Sequence, residues 1–335
     1  MGKKVSITDI AKKAGVSIAS VSYVMNGIEK EKRVSEEVAN KIRETAALLN
    51  YQPNHIAKSL KQGSTKTIGL VVADISNSFF GDMAKAIEEE ASKHAYTVIF
   101  GNSNEDFSKS RNLVNTLMSR QVDGLIVTPV QGGESKIQKL SNKMPLVFVD
   151  RYIENESINY VILDNYAASY DAVEQLYNKG FRKTAIVGYD SDMMHIQERF
   201  RGYREAMKRF NPDVETLVGT VSYQSIEEDI ANTLDAMLQQ EQAVDSIVFA
   251  TNTLTIAGLQ HLRKRRIKIQ EDLSVIGFDG NVAFDFFSFP FTYVKQPVYE
   301  MGKKAVEILI NKMNGKNDFE QVKFKHEMVD SIPVK

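Results

Sequence analysis

The sequence predicts an α/β protein: a small all-α head joined to a two-lobed, doubly wound parallel body. Three observations carry this. Candidate helix caps recur at short intervals through residues 1–53. From Thr67 onward, short apolar strands alternate with amphipathic helical stretches, the pattern of parallel sheets covered by helices. The strands are too many for one compact sheet, and a break near Asp164 divides them in two.

In the head, Thr8 is placed to cap a helix over Asp9–Ala14 that stops at Gly15. Val16 alone separates it from Ser17, a second cap, opening Ile18–Met25, which ends at Asn26-Gly27. Two short helices across a Gly-containing turn form a helix-turn-helix pattern, with Ile10, Ala11, Ala14, Val16, Val21 and Val24 as its packed side. A charged loop, Ile28–Arg33, leads to Ser35, which caps a third helix carrying Val38, Ile42, Ala46 and Leu49 at helical spacing. In such a motif the second helix enters the DNA major groove and its first residues face base edges. Ser17, Ile18, Ala19 and Tyr23 are the exposed candidates, with Ser20 and Ser22 nearer the backbone. The pattern alone also fits a three-helix protein-interaction module.

Charge distribution agrees with a split role. Residues 1–63 hold eleven Lys/Arg against six Asp/Glu, a net of +5, in a chain whose total is −1. A basic head on a mildly acidic body suits a nucleic-acid binder with a second function elsewhere. The start carries no apolar run of signal-peptide length, which argues against export. Ile68–Ala73 and Leu125–Val130 are far shorter than a membrane span. The absence of cysteine excludes disulfides and thiolate metal sites, and it fits a cytoplasmic location.

In the body, strands are expected at Thr67–Ala73, Thr97–Gly101, Gly124–Thr128, Leu146–Val149, Tyr160–Leu163, Thr184–Val187, Ser246–Ala250 and Ser274–Gly277. Helices are expected at Phe80–His94, Ser108–Ser119, Asn165–Lys179, Glu198–Phe210, Ser225–Gln240 and Thr253–Arg266. Ligands of such sheets sit outside the carboxyl ends of strands. Those ends carry Asp74–Phe80, Asp150-Arg151, Asp164-Asn165, Thr251-Asn252-Thr253 and Asp279. Each polar group alone reads as a helix cap; together they suit a polar, uncharged ligand rich in hydroxyls or ring nitrogens. With no Trp in the chain, ring stacking would use Phe79, Phe80, Phe286 or Phe287. Phe284–Phe291 fits a buried cover over the cleft as well as a ligand contact. The run "RKRR" at 263–266 reads as a helix end, where cations suit the dipole.

The strings "ITDIAKKAGVSIASVSYVMNG" and "RVSEEVANKIRETAALLNYQPNHIAKSLKQG" closely resemble the head of the lactose-repressor/galactose-repressor (LacI/GalR) family. The resemblance implies three parts: a DNA-binding head over 1–53, a hinge helix and linker over 54–63, and a sensor over 64–335. The sensor would be of the periplasmic-binding-protein type, with lobe 1 at about 64–163 plus 292–320 and lobe 2 at about 164–291 plus the C-terminal segment. It implies DNA contacts from Thr8, Asn26 and Tyr51 besides the residues named above. From the hinge it adds Asn54, His55, Ala57, Lys58 and Leu60. In the family this segment becomes helical on operator DNA, and Leu60 matches the residue inserted at the central base step. Eight residues, Asn54–Lys61, are too few for a stable isolated helix, which is consistent with folding coupled to DNA. The alternative for Leu60 is a linker residue packed on the sensor.

Two departures stand out. Many relatives carry Arg or another polar residue where this chain has Tyr23, and a polar pair at Ile18-Ala19, so readout should lean on thymine methyl groups. The loop Gly27–Arg33 is also longer than usual, which leaves Lys32 and Arg33 open to phosphate contact or to solvent.

For the sensor the resemblance implies effector contacts from Phe79, Phe80, Asp150, Arg199, Tyr223, Asn252 and Asp279, while Arg201, Gly202 and Tyr203 look structural. Thr253 stands where most relatives have Asp. The expected protein is a transcriptional regulator, most often a repressor in this family. It would bind a near-palindromic operator as a homodimer and answer to a sugar-like effector, with a purine or other metabolite as the alternative. A solute-binding protein leaves the basic head unexplained. An enzyme lacks a motif, since the five histidines are scattered and no HExxH, GxSxG, GxGxxG or GxxxxGK[ST] pattern occurs. No cofactor is implied.

Overall fold

Ser6, not Thr8, begins the first helix. In the computed structural model the Ser6 hydroxyl accepts from the Asp9 N–H, and the Asp9 carboxylate accepts from the Ser6 N–H at 2.9 Å. This capping box satisfies two otherwise orphaned donors, and it leaves Thr8 inside α1 (Ile7–Ala14) and exposed. The structure describes residues 5–51, 63–132, 140, 143–153, 157–239, 243–280, 284, 286–316 and 318–331. They fall into two units, Met1–Thr65 and Lys66–Lys335.

Gly15 ends α1 at φ 68, a left-handed cap that glycine adopts without a Cβ penalty. Ser17 opens α2 (Ile18–Met25) by accepting from the Ser20 N–H at 3.0 Å, and Ser35 caps α3 (Glu36–Leu48). Ile10, Val21 and Ile42, one from each helix, are wholly buried at the centre of the head.

The body is one arrangement made twice. The first sheet holds β1 (Thr67–Val72), β2 (Thr97–Asn102), β3 (Gly124–Val127), β4 (Leu146–Val149) and β5 (Asn159–Leu163). The second holds β6 (Thr184–Tyr189), β7 (Leu217–Val221), β8 (Ser246–Phe249), β9 (Ser274–Phe278) and β10 (Phe291–Lys295). β11 (Gln321–Phe324) completes the first sheet in the order β11-β5-β4-β3-β1-β2, and β12 (Glu327–Ser331) the second in the order β12-β10-β9-β8-β6-β7. Every pairing is parallel except that of β12 with β10.

Between the strands lie α4 (Ser78–Lys93), α5 (Phe107–Ser119), α6 (Asn165–Asn178), α7 (Met194–Phe210), α8 (Ile226–Gln239) and α9 (Asn252–Lys264). α10 (Val298–Met313) packs against α4 on the first sheet. Side chains alternate across each first-sheet strand: Ile68, Leu70 and Val72 meet Met83, Met301 and Leu309, while Val71 and Val127 meet Val114 and Leu117.

Several expected boundaries are corrected. β10 belongs to the second sheet, so the chain returns to the first lobe at 296–298 rather than at about 292, and it stays there through Phe324. α7 begins at Met194, before the expected Glu198, and α9 is capped by Thr251, so Thr253 lies inside the helix. β7, β10, β11, β12 and α10 were not anticipated. The edge strand QVKF alternates polar with apolar residues and EMVDS holds only two adjacent apolar residues, so neither carries an apolar run.

Gly202 marks the closest helix approach, because a Cβ there would stand 2.2 Å from the Tyr166 carbonyl oxygen. That neighbour is backbone and cannot rotate away. Gly202→Ala is therefore expected to destabilise the sensor by about 3 kcal/mol in urea unfolding. Gly81→Ala, with open space around its Cβ, should be neutral or stabilising by about 0.5–1 kcal/mol.

Candidate functional site

Two surfaces carry chemistry, one in each unit. On the head, Ser17, Ile18 and Ala19 are exposed at the start of α2, and Ser20, Ser22 and Tyr23 are half-buried behind them. Ile18 is 47% exposed, an apolar side chain held in solvent at the position that faces base edges. Ser17 and Asn26 also have local work: Ser17 caps α2, and the Asn26 amide donates to the Ser22 carbonyl at 2.7 Å. The loop before α3 is pinned by the Glu29–Arg43 ion pair, with Arg33 in the left-handed region at φ 55. The Lys32 ammonium stands 5.9 Å from the centre of the Tyr23 ring, so the loop borders the reading face. Thr8 and Arg33 are exposed and Tyr51 is half-buried. Asn54, His55, Ala57, Lys58 and Leu60 lie outside the described residues.

In the body, strand order reverses between β1 and β3, and again between β6 and β8. Crevices form at such switch points. The lobes touch there: the Asn252 amide donates to the Ser78 hydroxyl at 3.2 Å, and the Ser191 hydroxyl donates to Gln131 Oε1 at 3.2 Å.

Asp150 follows β4 and Asp279 follows β9, equivalent strands of the two sheets. Both are left-handed, at φ 70 and φ 65, and each N–H donates across to the neighbouring strand, to Val161 and Val294 respectively. Two strained acids at matching positions cost of order 1–3 kcal/mol each and point to function rather than packing. Burial raises the Asp150 carboxyl to about 6, against the lowering pull of Arg151 and Arg199. Burial likewise raises Asp279, against Arg199 and a 2.6 Å hydrogen bond donated by the Gln296 amide.

Arg199 projects from α7, donating Nε to Asn165 Oδ1 at 2.8 Å and Nη1 to the Ala250 carbonyl, with its guanidinium 4.2 Å from the Phe278 ring centre. Burial draws it below its usual value, countered by Asp279 and Asp150. Tyr223 stacks on Tyr189 with ring centres 3.6 Å apart. His195, on the first turn of α7, is pushed well below its usual value by burial and by Arg151 and Arg199. It is a neutral imidazole at pH 7, and its Nδ1 has no partner.

The structure therefore brings Asp150, Arg199 and Asp279 within electrostatic reach of one another, beside Tyr223. Phe79 and Phe80 meet edge to face at 5.0 Å. Phe80 turns toward Arg151, while Phe79 borders a separate cleft of about 600 Å³ beside α4 and the return segment. That cleft shares Phe79 and Asp279 with the interlobe set. The interlobe set holds the convergent charges and strained backbone, and it is the stronger candidate.

Sequence reasoning passed over Glu105, Tyr189, His195 and Gln296. Glu105, Tyr189 and Gln296 end or closely follow strands, so reading every strand end to its last residue would have found them; His195 lies on the first turn of α7 and carries no such signal. The 263–266 run does end a helix, where Arg265 and His261 both meet Asp235. Phe284 is buried against Phe291, whereas Phe286 is 76% exposed, so this stretch is part cover and part surface. No group of three or more His, Asp or Glu among the described residues is arranged to hold a metal ion.

The raised Asp150 value has a thermodynamic sign. A carboxyl held above its unfolded value stabilises the fold at low pH, and that contribution is lost as pH rises through the folded value. The window runs from 3.8 to about 6. Asp150→Asn should therefore raise unfolding stability at pH 7 by up to about 3 kcal/mol, with the gain vanishing near pH 4 in urea melts.

Residues 65–330 match the family model described as periplasmic binding proteins and sugar binding domain of LacI family, and residues 6–54 match bacterial regulatory proteins, lacI family. The HTH-type transcriptional regulator RegA of Clostridium saccharobutylicum is 32% identical over 333 residues, covering 97% of this chain and 98% of its own. The lac repressor dimer bound to operator and an anti-inducer shares the fold, with a TM-score of 0.83 at 20% identity over 98% of each chain. A periplasmic binding protein/LacI transcriptional regulator from Alkaliphilus metalliredigens QYMF, complexed with D-xylulofuranose, has a TM-score of 0.68 at 26% identity, over 79% of this chain and 97% of its own. The chain belongs to the LacI family of bacterial regulatory proteins and is a DNA-binding transcriptional regulator with a small-molecule sensor.

Proposed function

We propose that this regulator represses transcription by binding a near-palindromic operator as a homodimer, and that a sugar or sugar derivative in the interlobe cleft sets its affinity. The observation that carries the effector reading is the pairing of Asp150 with Asp279, two acceptors facing one crevice from matching strand ends. A sugar's vicinal hydroxyls donate to such groups from both lobes at once, and the D-xylulofuranose complex of the Alkaliphilus relative supports the same class. Phe79, Phe80, Arg199, Tyr223 and Asn252 would complete the contact set. A ligand that bridges the lobes favours the conformation in which they touch, and by linkage that preference alters DNA affinity.

On DNA, α2 would lie in the major groove, with Ile18 and Ala19 against thymine methyl groups and the Tyr23 hydroxyl on a base edge. Ser17, Ser20, Ser22, Thr8, Asn26, Tyr51, Lys32 and Arg33 would hold the backbone or flank it, and the hinge residues Asn54, His55, Ala57, Lys58 and Leu60 would serve the minor groove. A two-fold dimer implies two half-sites. A regulator acting in this way would work at the nucleoid in the cytoplasm. No described helix is long and apolar enough to cross a membrane.

The direct test is a thermal-shift screen of sugars, sugar phosphates and purines, since a ligand of the native state raises the melting temperature. A shift from purines but from no sugar would overturn the effector assignment. In fluorescence anisotropy with a selected operator, Tyr23→Ala should lose about tenfold or more in affinity, the weight of one base contact. Binding-site selection should return A·T-rich positions opposite Ile18 and Tyr23, and an invariant G·C pair opposite Tyr23 would refute the proposed readout. Arg199→Ala should keep operator binding while losing the effector response.

A further inference from the structure

Five charged side chains meet at the interlobe cleft: Glu105, Asp150 and Arg151 from the first lobe, Arg199 and Asp279 from the second. A buried guanidinium in a ligand cleft is an apt fork for a phosphate. Arg151 is buried, yet its fork is already filled. Glu105 accepts from Nη1 at 2.7 Å and from Nη2 at 2.6 Å, and Asp150 accepts from Nε at 3.2 Å. Arg199 is held at two of its nitrogens, Nε by Asn165 and Nη1 by the Ala250 carbonyl, and its charge already faces the Asp279 and Asp150 carboxylates.

Acceptors remain. Asn252 Oδ1 and Gln296 Oε1 are buried without a partner; Asn252 lies where the lobes touch, donating to Ser78, and Gln296 donates to the Asp279 carboxylate. The phosphate group of an ester replaces a hydroxyl donor with acceptors and negative charge, so it meets repulsion here and gives these oxygens nothing to accept. The hydroxyls of an uncharged polyol donate to them. Three carboxylates against two guanidiniums tilt the cleft further from anions.

We propose that Glu105 is a specificity-determining residue: by occupying Arg151 it bars anionic effectors, leaving a cleft that selects an uncharged polyhydroxylated ligand over its phosphate ester. This rests on the sugar-effector reading above and narrows it. Glu105 sits on the turn after β2 with its side chain at the cleft margin, 17% exposed. Removing its charge frees one guanidinium and balances the remaining charges two against two.

The test uses the full chain in calorimetric titrations at constant ionic strength. The probes are D-ribose, D-xylulose and D-glucose, each paired with its terminal phosphate ester, together with inorganic phosphate. In the wild type a free sugar should bind at least tenfold more tightly than its ester. Glu105→Gln should bind inorganic phosphate at least tenfold more tightly than the wild type does. That gain should vanish in the Glu105→Gln/Arg151→Gln double variant. If Glu105→Gln does not fold, Glu105→Ala, which also removes the charge, carries the same expectation. An ester that binds the wild type as tightly as its free sugar overturns the proposal, as does a folded Glu105 variant with no gain for phosphate. A phosphate gain with no sugar binding to either protein upholds the role of Glu105 and removes the sugar reading instead.

Discussion

Charge held away from water is the constraint on which the sensor depends. Asp150, Arg151, Arg199 and Asp279 are each less than a tenth exposed, at the place where the two lobes touch. An isolated ion in that setting costs several kcal/mol, so each must find a partner or shift its protonation. Arg151 finds Glu105 and Asp150; Arg199 finds an amide oxygen, a carbonyl and an aromatic face. The two aspartates are less well served, and burial leaves both raised. The cleft is thus stable enough to close and incompletely satisfied, which is the condition for a ligand to add something.

Duplication explains how the imbalance is built. The two sheets share one strand order, and the same left-handed residue follows the equivalent strand in each. A fold made twice faces its two carboxyl ends toward one another and delivers one acid from either side. A ligand bridging them draws on both lobes, so its binding free energy is tied to their relative position. That tie gives a small molecule leverage over a conformational equilibrium. The strain stored at Asp150 and Asp279 is of the size such a switch needs and is maintained by the surrounding sheets.

The head obeys a different economy. Three helices around Ile10, Val21 and Ile42 make a small core, and caps at Ser6, Ser17 and Ser35 supply hydrogen bonds that helices this short cannot supply for themselves. What the head can then spare is its surface. Ile18 stays in solvent at the tip of α2, where it adds nothing to folding and where apolar contact with a base edge becomes available.

Local chemistry was legible from the chain alone. Caps, glycine stops and apolar periodicity act within a few residues, so the head, eight of the strands and most helix positions could be read directly. Asp150, Arg199, Asn252 and Asp279 were legible as strand-end groups or by resemblance. Tertiary structure decided the rest, because it depends on pairing across long separations. The return to the first lobe at 296–298 follows from β10 pairing with β9 and β12, and no local signal in FTYVK announces that. The same holds for Glu105, whose importance arises from meeting Arg151, 46 residues away. A carboxylate's role is set by which cation it faces, and only the folded chain establishes that.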